Sequence, residues 1–321
     1  MKKKIVIISG EPNSINSEII FKSFKTLKKE IKKRIYLISN IDLLQKQFKI
    51  LKYNVKLIQA KDIYDEGSKD DSLKVLNQDI NFRGNPFKIS QKISSKYVLK
   101  SLNYAHKVAL NKNVAGIINC PVNKNVFKKK IGVTEYLSSK CNVNDNSEVM
   151  LINNEKLSVS PITTHLDLRE ISKKIKANNI IKKITTINDW FKKYKKKKPK
   201  IAILGLNPHN SELRPNSEEK KIIIPAIKKL IKKGVYVHGP YASDTIFINK
   251  YKKYDVIVGM YHDQVLAPYK ALFNFNAINI TLGLKYLRIS PDHGVGLDLI
   301  KKNKASSKSL TKCINFISKF K

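Results

Sequence analysis

Short apolar runs rich in β-branched residues recur along this chain, and amphipathic, lysine-rich stretches separate them. The runs predict strands over 4–9, 34–39, 55–59, 114–119, 147–153, 157–163, 200–205, 235–238, 255–259 and 277–281. Helices are expected over 17–33, 91–111, 168–194, 220–233 and 307–320. In the first of them Ile19, Ile20, Phe24 and Leu27 recur about one helical turn apart, which marks a core-facing stripe. The tract 64–88 is polar and carries Gly84 and Pro86, so it reads as a long surface connection. Strands alternating with helices predict α/β layers with much parallel sheet. A chain of 321 residues suits two such domains.

Charge changes this picture less than its size suggests. The chain has 63 Lys+Arg against 25 Asp+Glu, a formal net charge of +38. Arginine, the residue suited to base and bidentate phosphate contacts, occurs only at 34, 83, 169, 214 and 288. The lysines are spread over nearly every expected helix and loop, as solvated faces are, and a nucleic-acid partner is not expected. A positive field would still steer anionic substrates inward. No apolar run approaches the roughly 20 residues of a membrane helix. After the N-terminal lysines the apolar stretch is Ile5–Ile8, shorter than the roughly 7–15 residues of a secretory signal. A cytoplasmic chain is expected. Cys120, Cys141 and Cys313 show no metal-ligand spacing.

Candidate chemistry gathers at strand ends. His165, His209 and His262 each close an apolar run inside a polar turn. Loops at the carboxyl ends of strands build the ligand crevice of open α/β sheets. Three imidazoles delivered there suit one divalent ion with coordination positions left open, and a structural role for each stays open at this point. His106 lies mid-helix and reads as structural or exposed; His238 is undecided. Lys270, Asn279 and Arg288 form an anion-seeking group. An arginine in so lysine-biased a chain suggests a need for the planar fork, although a surface salt bridge serves as well on this argument. Neither a dinucleotide fingerprint nor a Walker loop is present.

The ordered motifs Ser9-Gly-Glu-Pro12, Asn119-Cys-Pro-Val-Asn-Lys124, Gly132-Val-Thr-Glu135, Thr163-Thr-His165, Gly205-Leu-Asn-Pro-His209, Gly239-Pro-Tyr-Ala-Ser-Asp244, Met260-Tyr-His-Asp-Gln264, Asn279-Ile-Thr-Leu-Gly-Leu284 and Asp292-His-Gly294 resemble the 4-hydroxythreonine-4-phosphate dehydrogenase family of vitamin B6 biosynthesis. The resemblance implies an isocitrate/isopropylmalate dehydrogenase-like fold, two α/β/α domains with an active-site cleft between them. A discontinuous cofactor-side domain is expected over 1–125 and 245–321, and a dimerisation and substrate domain over 126–244. It implies a homodimer that shares its active site across the interface. It places a divalent metal (Zn, Mg, Co or Mn) on His165, His209 and His262, substrate on Thr134, Lys270, Asn279 and Arg288, and the adenosine side of NAD or NADP on Asp292, His293 and Gly294. Asp244 and Asp263 become candidates for orienting groups or relaying protons. The implied reaction is oxidation of 4-phosphohydroxy-L-threonine at C3, then decarboxylation.

The chain departs from the family pattern at several ligand loops. Val133 stands where the family has histidine, and Asn13, Ser14 and Asn16 stand in a first loop that is normally glycine-rich. Val133 raises two other substrates, a phosphorylated sugar acid of the threonate or erythronate type and a cis-dihydrodiol carboxylate. A metal hydrolase is a further alternative, since three histidines also suit water activation.

Overall fold

The computed structural model describes residues 2–65, 71–127, 132–143, 147–274 and 276–320. The strands are β1 (Lys4–Ile8), β2 (Ile35–Ser39), β3 (Leu57–Ala60), β4 (Leu73–Asn77), β5 (Val114–Asn119), β6 (Val149–Asn153), β7 (Ser158–Pro161), β8 (Ile201–Leu204), β9 (Val237–Tyr241), β10 (Val256–Gly259), β11 (Ile278–Leu282) and β12 (Arg288–Pro291). The chain divides into two units, Met1–Cys141 with Leu284–Lys321, and Asn142–Gly283.

In the first unit the strand order is β3-β4-β2-β1-β5-β12 and every pair is parallel. The central strands read as continuous apolar runs because helices cover both faces. Ile5, Val6 and Ile8 of β1 and Ile35 to Ile38 of β2 are fully buried. Helices Gln91–Ala109 and Lys308–Ser318 pack on this sheet, and Asn16–Thr26 packs against Lys308–Ser318 and Ile41–Ile50. Strand β4 lies inside the tract read as a surface connection; residues 66–70 of that tract fall outside the described residues. Its Leu73, Val75 and Leu76 are buried and also Lys74, so the polar composition hid a strand. The helix Ile41–Ile50 was also not expected, although Asn40 caps it by accepting from the Leu43 amide at 2.9 Å.

In the second unit the order is β11-β6-β7-β10-β8-β9. Pairs β7·β10, β10·β8 and β8·β9 are parallel, and β11·β6 and β6·β7 are antiparallel. Its core joins Ile152, Val159, Ala202, Leu204, Ile257, Val265 and Tyr269.

This division differs from the expected boundaries at 125/126 and 244/245. Strand β10 lies between β7 and β8, and β11 pairs with β6, so 245–283 are bound by backbone hydrogen bonds to the second unit. The expected helix over 17–33 stops at Thr26 and resumes as Lys29–Lys32. The helix His262–Phe273 contains Pro268, a residue that argues against a helix in sequence, and no helix was expected there. Among the described residues no helix is long and apolar enough to cross a membrane.

Candidate active-site residues

In the second unit the three candidate ligands leave the carboxyl ends of three adjacent parallel strands, β7, β10 and β8. Neighbouring strands lie about 4.8 Å apart, so this topology brings the three turns to one edge. Backbone bonds stitch them together. Ile162 and Thr163 donate from their amides to the carbonyls of Gly259 and Met260. The Thr163 hydroxyl also reaches the Met260 carbonyl, at 2.7 Å. Buried Gln264 spans two strands: its Oε1 accepts from the Met260 amide at 2.7 Å and its Nε2 donates to the Gly205 carbonyl at 2.7 Å.

The imidazoles of His165 and His262 stand 6.0 Å apart between ring centroids. His262 Nδ1 lies 2.6 Å from Asp263 Oδ1, which leaves Nε2 as the nitrogen facing away from the carboxylate. His209 lies in a turn, Pro208–Leu213, whose residues 209–213 all have φ between 45° and 58°. This left-handed run sets His209 Nε2 3.7 Å from Asp244 Oδ2 and Nδ1 3.9 Å from Glu212. Among the described residues no group of three or more His, Cys, Asp or Glu side chains is close enough to hold one ion. The structure thus brings His165 and His262 together and gives His209 carboxylate partners of its own. The donor chemistry fits a divalent ion at the paired imidazoles, with Asp263 behind one of them.

Sequence reading did not single out Glu219, which is fully buried below the His209 turn. Its Oε1 accepts from the amides of Leu206 and Asn207 at 2.8 and 2.9 Å. Burial alone would raise this carboxyl, but those bonds more than offset it and hold its pKa below the usual carboxylate range. A Cβ at Gly205 would press on the Asn210 side chain, so a larger residue there would displace it. Lys270 is half-buried eight residues along the helix from His262, about 12 Å of rise. Asn279 sits on β11, and its Oδ1 is buried without a hydrogen-bond partner among the described residues. His238 packs instead against Tyr236 and Tyr254.

The first unit holds the other group. Arg288 opens β12 and is only 4% exposed. Its Nε donates to Asn119 Oδ1 at 2.5 Å and its Nη1 to Thr134 Oγ1 at 3.2 Å. Burial lowers the guanidinium pKa to about 10, and nearby Glu135 opposes that shift. Thr134 is the second residue of the helix Val133–Lys140, where Glu135 accepts from the Gly132 amide at 3.0 Å. Val133 therefore stands at the helix start beside the arginine's partner. Asp292, His293 and Gly294 form the turn after β12: the Asp292 amide donates to Ser309 at 3.1 Å, and His293 Nδ1 lies 3.0 Å from the Gly294 carbonyl. Ile15 of the first loop donates to the Val295 carbonyl. That loop also holds Glu11, 2% exposed. Ser94 donates to its Oε1 at 2.6 Å, while Oε2 has no partner among the described residues, and burial raises its pKa. His106 Nδ1 lies 3.0 Å from Tyr286 Oη, a structural pairing.

Residues 30–317 match the family model described as "Pyridoxal phosphate biosynthetic protein PdxA". The chain belongs to the PdxA family. It is 37% identical over 319 residues to the 4-hydroxythreonine-4-phosphate dehydrogenase of Sulfurihydrogenibium sp., covering 97% of this chain and 96% of that one. Among solved structures, the 4-hydroxythreonine-4-phosphate dehydrogenase of Klebsiella pneumoniae superimposes with a TM-score of 0.84 at 28% identity, covering 98% of each chain. The wider fold extends to a beta-decarboxylating dehydrogenase of Thermococcus kodakarensis, with a TM-score of 0.50, 10% identity and coverage of 98% of this chain and 83% of that one. The PdxA-family chain thus has the isocitrate/isopropylmalate dehydrogenase type of fold.

Proposed function

We propose that this enzyme oxidises 4-phosphohydroxy-L-threonine at C3 and decarboxylates the product to 3-amino-2-oxopropyl phosphate, in pyridoxal phosphate biosynthesis. The full-length likeness to dehydrogenases bearing that name is the observation that carries this reading. Bound NAD or NADP would supply the hydride acceptor, and a bound divalent ion (Zn, Mg, Co or Mn) would supply Lewis acidity for the oxidation and decarboxylation.

His165 and His262, paired at 6.0 Å, would hold the ion, and His209 would complete the set by leaving its contacts with Asp244 and Glu212. Asp263 accepts from His262 Nδ1–H, fixing the tautomer that leaves Nε2 free to bind metal. Asp244, beside His209, takes up and returns a proton at its carboxylate. Arg288 binds an anionic end of the substrate through its fork, with the Thr134 hydroxyl beside it. Lys270 supplies a point charge for the other anionic end. Asn279 Oδ1 is a buried acceptor suited to the substrate's ammonium or hydroxyl. Asp292, His293 and Gly294 hold the adenosine side of the dinucleotide. The first unit serves the cofactor and, through Arg288 and Thr134, one anionic end of the substrate; the second serves the metal, the rest of the substrate and dimerisation, in a homodimer.

A substrate panel tests the reading. NADH formation is measured for 4-phosphohydroxy-L-threonine, phosphorylated threonate and erythronate, and a cis-dihydrodiol carboxylate. The panel includes the last three because Val133 stands at the start of the Thr134 helix. The first compound should give the highest kcat/KM; a higher value for any other overturns the assignment.

A further inference from the structure

We infer that Gln264 is a positioning residue that ties the His209 turn to the His262 turn. This rests on the reading of both histidines as ligands of one divalent ion. Strands β10 and β8 run parallel, and their registered pairs end at Val258 with Ile203. Met260 and Gly205 each lie two residues beyond, where that pairing has stopped and each chain turns toward its histidine. The Gln264 side chain bridges the gap. Its Oε1 accepts from the Met260 amide at 2.7 Å and its Nε2 donates to the Gly205 carbonyl at 2.7 Å. A primary amide carries the same kinds of donor and acceptor as a peptide group, so this side chain acts as one more rung between the two strands.

The rung joins the two turns at their bases. His262 lies two residues before Gln264 in the helix His262–Phe273, and His209 lies four residues after Gly205. Glu219 holds the next two amides, of Leu206 and Asn207, at 2.8 and 2.9 Å. The Met260 carbonyl accepts from the Thr163 amide at 3.1 Å and the Thr163 hydroxyl at 2.7 Å, two residues before His165. The peptide groups of Met260 thus link all three turns, and Gln264 carries that link to the His209 turn. The amide is 7% exposed, so little water competes for either bond.

A double-mutant cycle on metal affinity separates positioning from structural support alone. Gln264→Met keeps the length of the side chain and removes both bonds. Cobalt(II) affinity of the purified protein is measured by chelator competition, below the Tm of every variant. His209→Ala should weaken binding about tenfold or more, and Gln264→Met should do the same. The double variant should be little weaker than either single one, because an untethered His209 leaves little for its removal to cost. Structural support alone predicts a lower Tm with unchanged cobalt affinity in Gln264→Met, or losses that multiply in the double variant; either result overturns the inference. If Gln264→Met does not fold, Gln264→Glu decides by the same cycle, since its carboxylate keeps the acceptor and lacks the donor to Gly205. A wild type that binds no cobalt, or wild-type affinity in His209→Ala, overturns the shared-ion reading instead. Amide hydrogen exchange over 206–213 then decides the role of Gln264: faster exchange in Gln264→Met with β8 unaltered supports the tie, and unchanged exchange overturns it.

Discussion

The carboxyl edges of the two sheets offer opposite kinds of chemistry. In the second unit, β7, β10 and β8 present imidazoles on solvent-accessible turns: the side chains of His209 and His262 are 72% and 33% exposed. In the first unit, β12 presents an arginine that is 4% exposed and donates to Asn119 and Thr134. The difference follows from what each must do. Imidazoles that bind an ion need lone pairs open to it. A permanent cation gains selectivity from burial, because a low local dielectric strengthens its pull on an anion and fixed neighbours remove the entropy of aiming it.

The largest break in this comparison should come from the imidazoles. If His262 binds the ion as proposed, His262→Ala should lower kcat about a thousandfold with reduced metal content, since such an ion supplies several kcal/mol of charge stabilisation. Elemental analysis alongside turnover checks both halves; full activity with full metal content would remove His262 from the ligand set. Arg288→Ala comes next. It should raise the substrate KM about a hundredfold and cost roughly 3 kcal/mol of stability, because Asn119 and Thr134 lose their buried partner. Chemical denaturation and steady-state kinetics measure the two effects. Gln264→Ala should cost about 2 kcal/mol, since it strands the buried Met260 amide and Gly205 carbonyl in one step. Its effect on turnover should exceed its effect on NAD binding.

The smallest effects sharpen the contrast between the units through two buried glutamates. Glu219 has a folded pKa below its ordinary value of 4.5, so its contribution is present above 4.5 and is lost as pH falls through the lowered pKa. Glu11 has a raised folded pKa, so its contribution is present below 4.5 and is lost as pH rises through the raised pKa. Stability profiles by denaturation against pH should therefore move in opposite senses. Glu219→Gln should lower stability at neutral pH and flatten the acid limb. Glu11→Gln should leave neutral stability unchanged or higher.

Sequence alone made much of the fold legible where burial was two-sided. Strands β1, β2 and β5 read as apolar runs because both faces are covered, and the histidines could be placed after strands for the same reason. Strand β4 was not legible, because Lys74 interrupts its pattern while its amine reaches the Lys33 carbonyl at 2.6 Å. Pro268 masked the helix that begins at His262. The unit boundary depended on β10 lying between β7 and β8, a pairing of strands far apart in sequence. Asn119, Gln264 and Glu219 act through long-range or backbone contacts, and their residue types advertise nothing by themselves. Asn119 lay inside a motif already noted, so its strand-end position was the one available signal. The left-handed turn at His209 contains no glycine, and nothing local announced it.

The proposed reaction couples hydride removal to loss of a carboxyl group on a phosphorylated hydroxy acid. The most direct measurement follows NADH and labelled carbon dioxide together, with carboxyl-labelled 4-phosphohydroxy-L-threonine and the purified enzyme before and after chelation. The account predicts equimolar release of both, abolished by chelation and restored by a divalent ion. NADH formed at an undiminished rate after complete metal removal, or substrate consumed without carbon dioxide release, would contradict it.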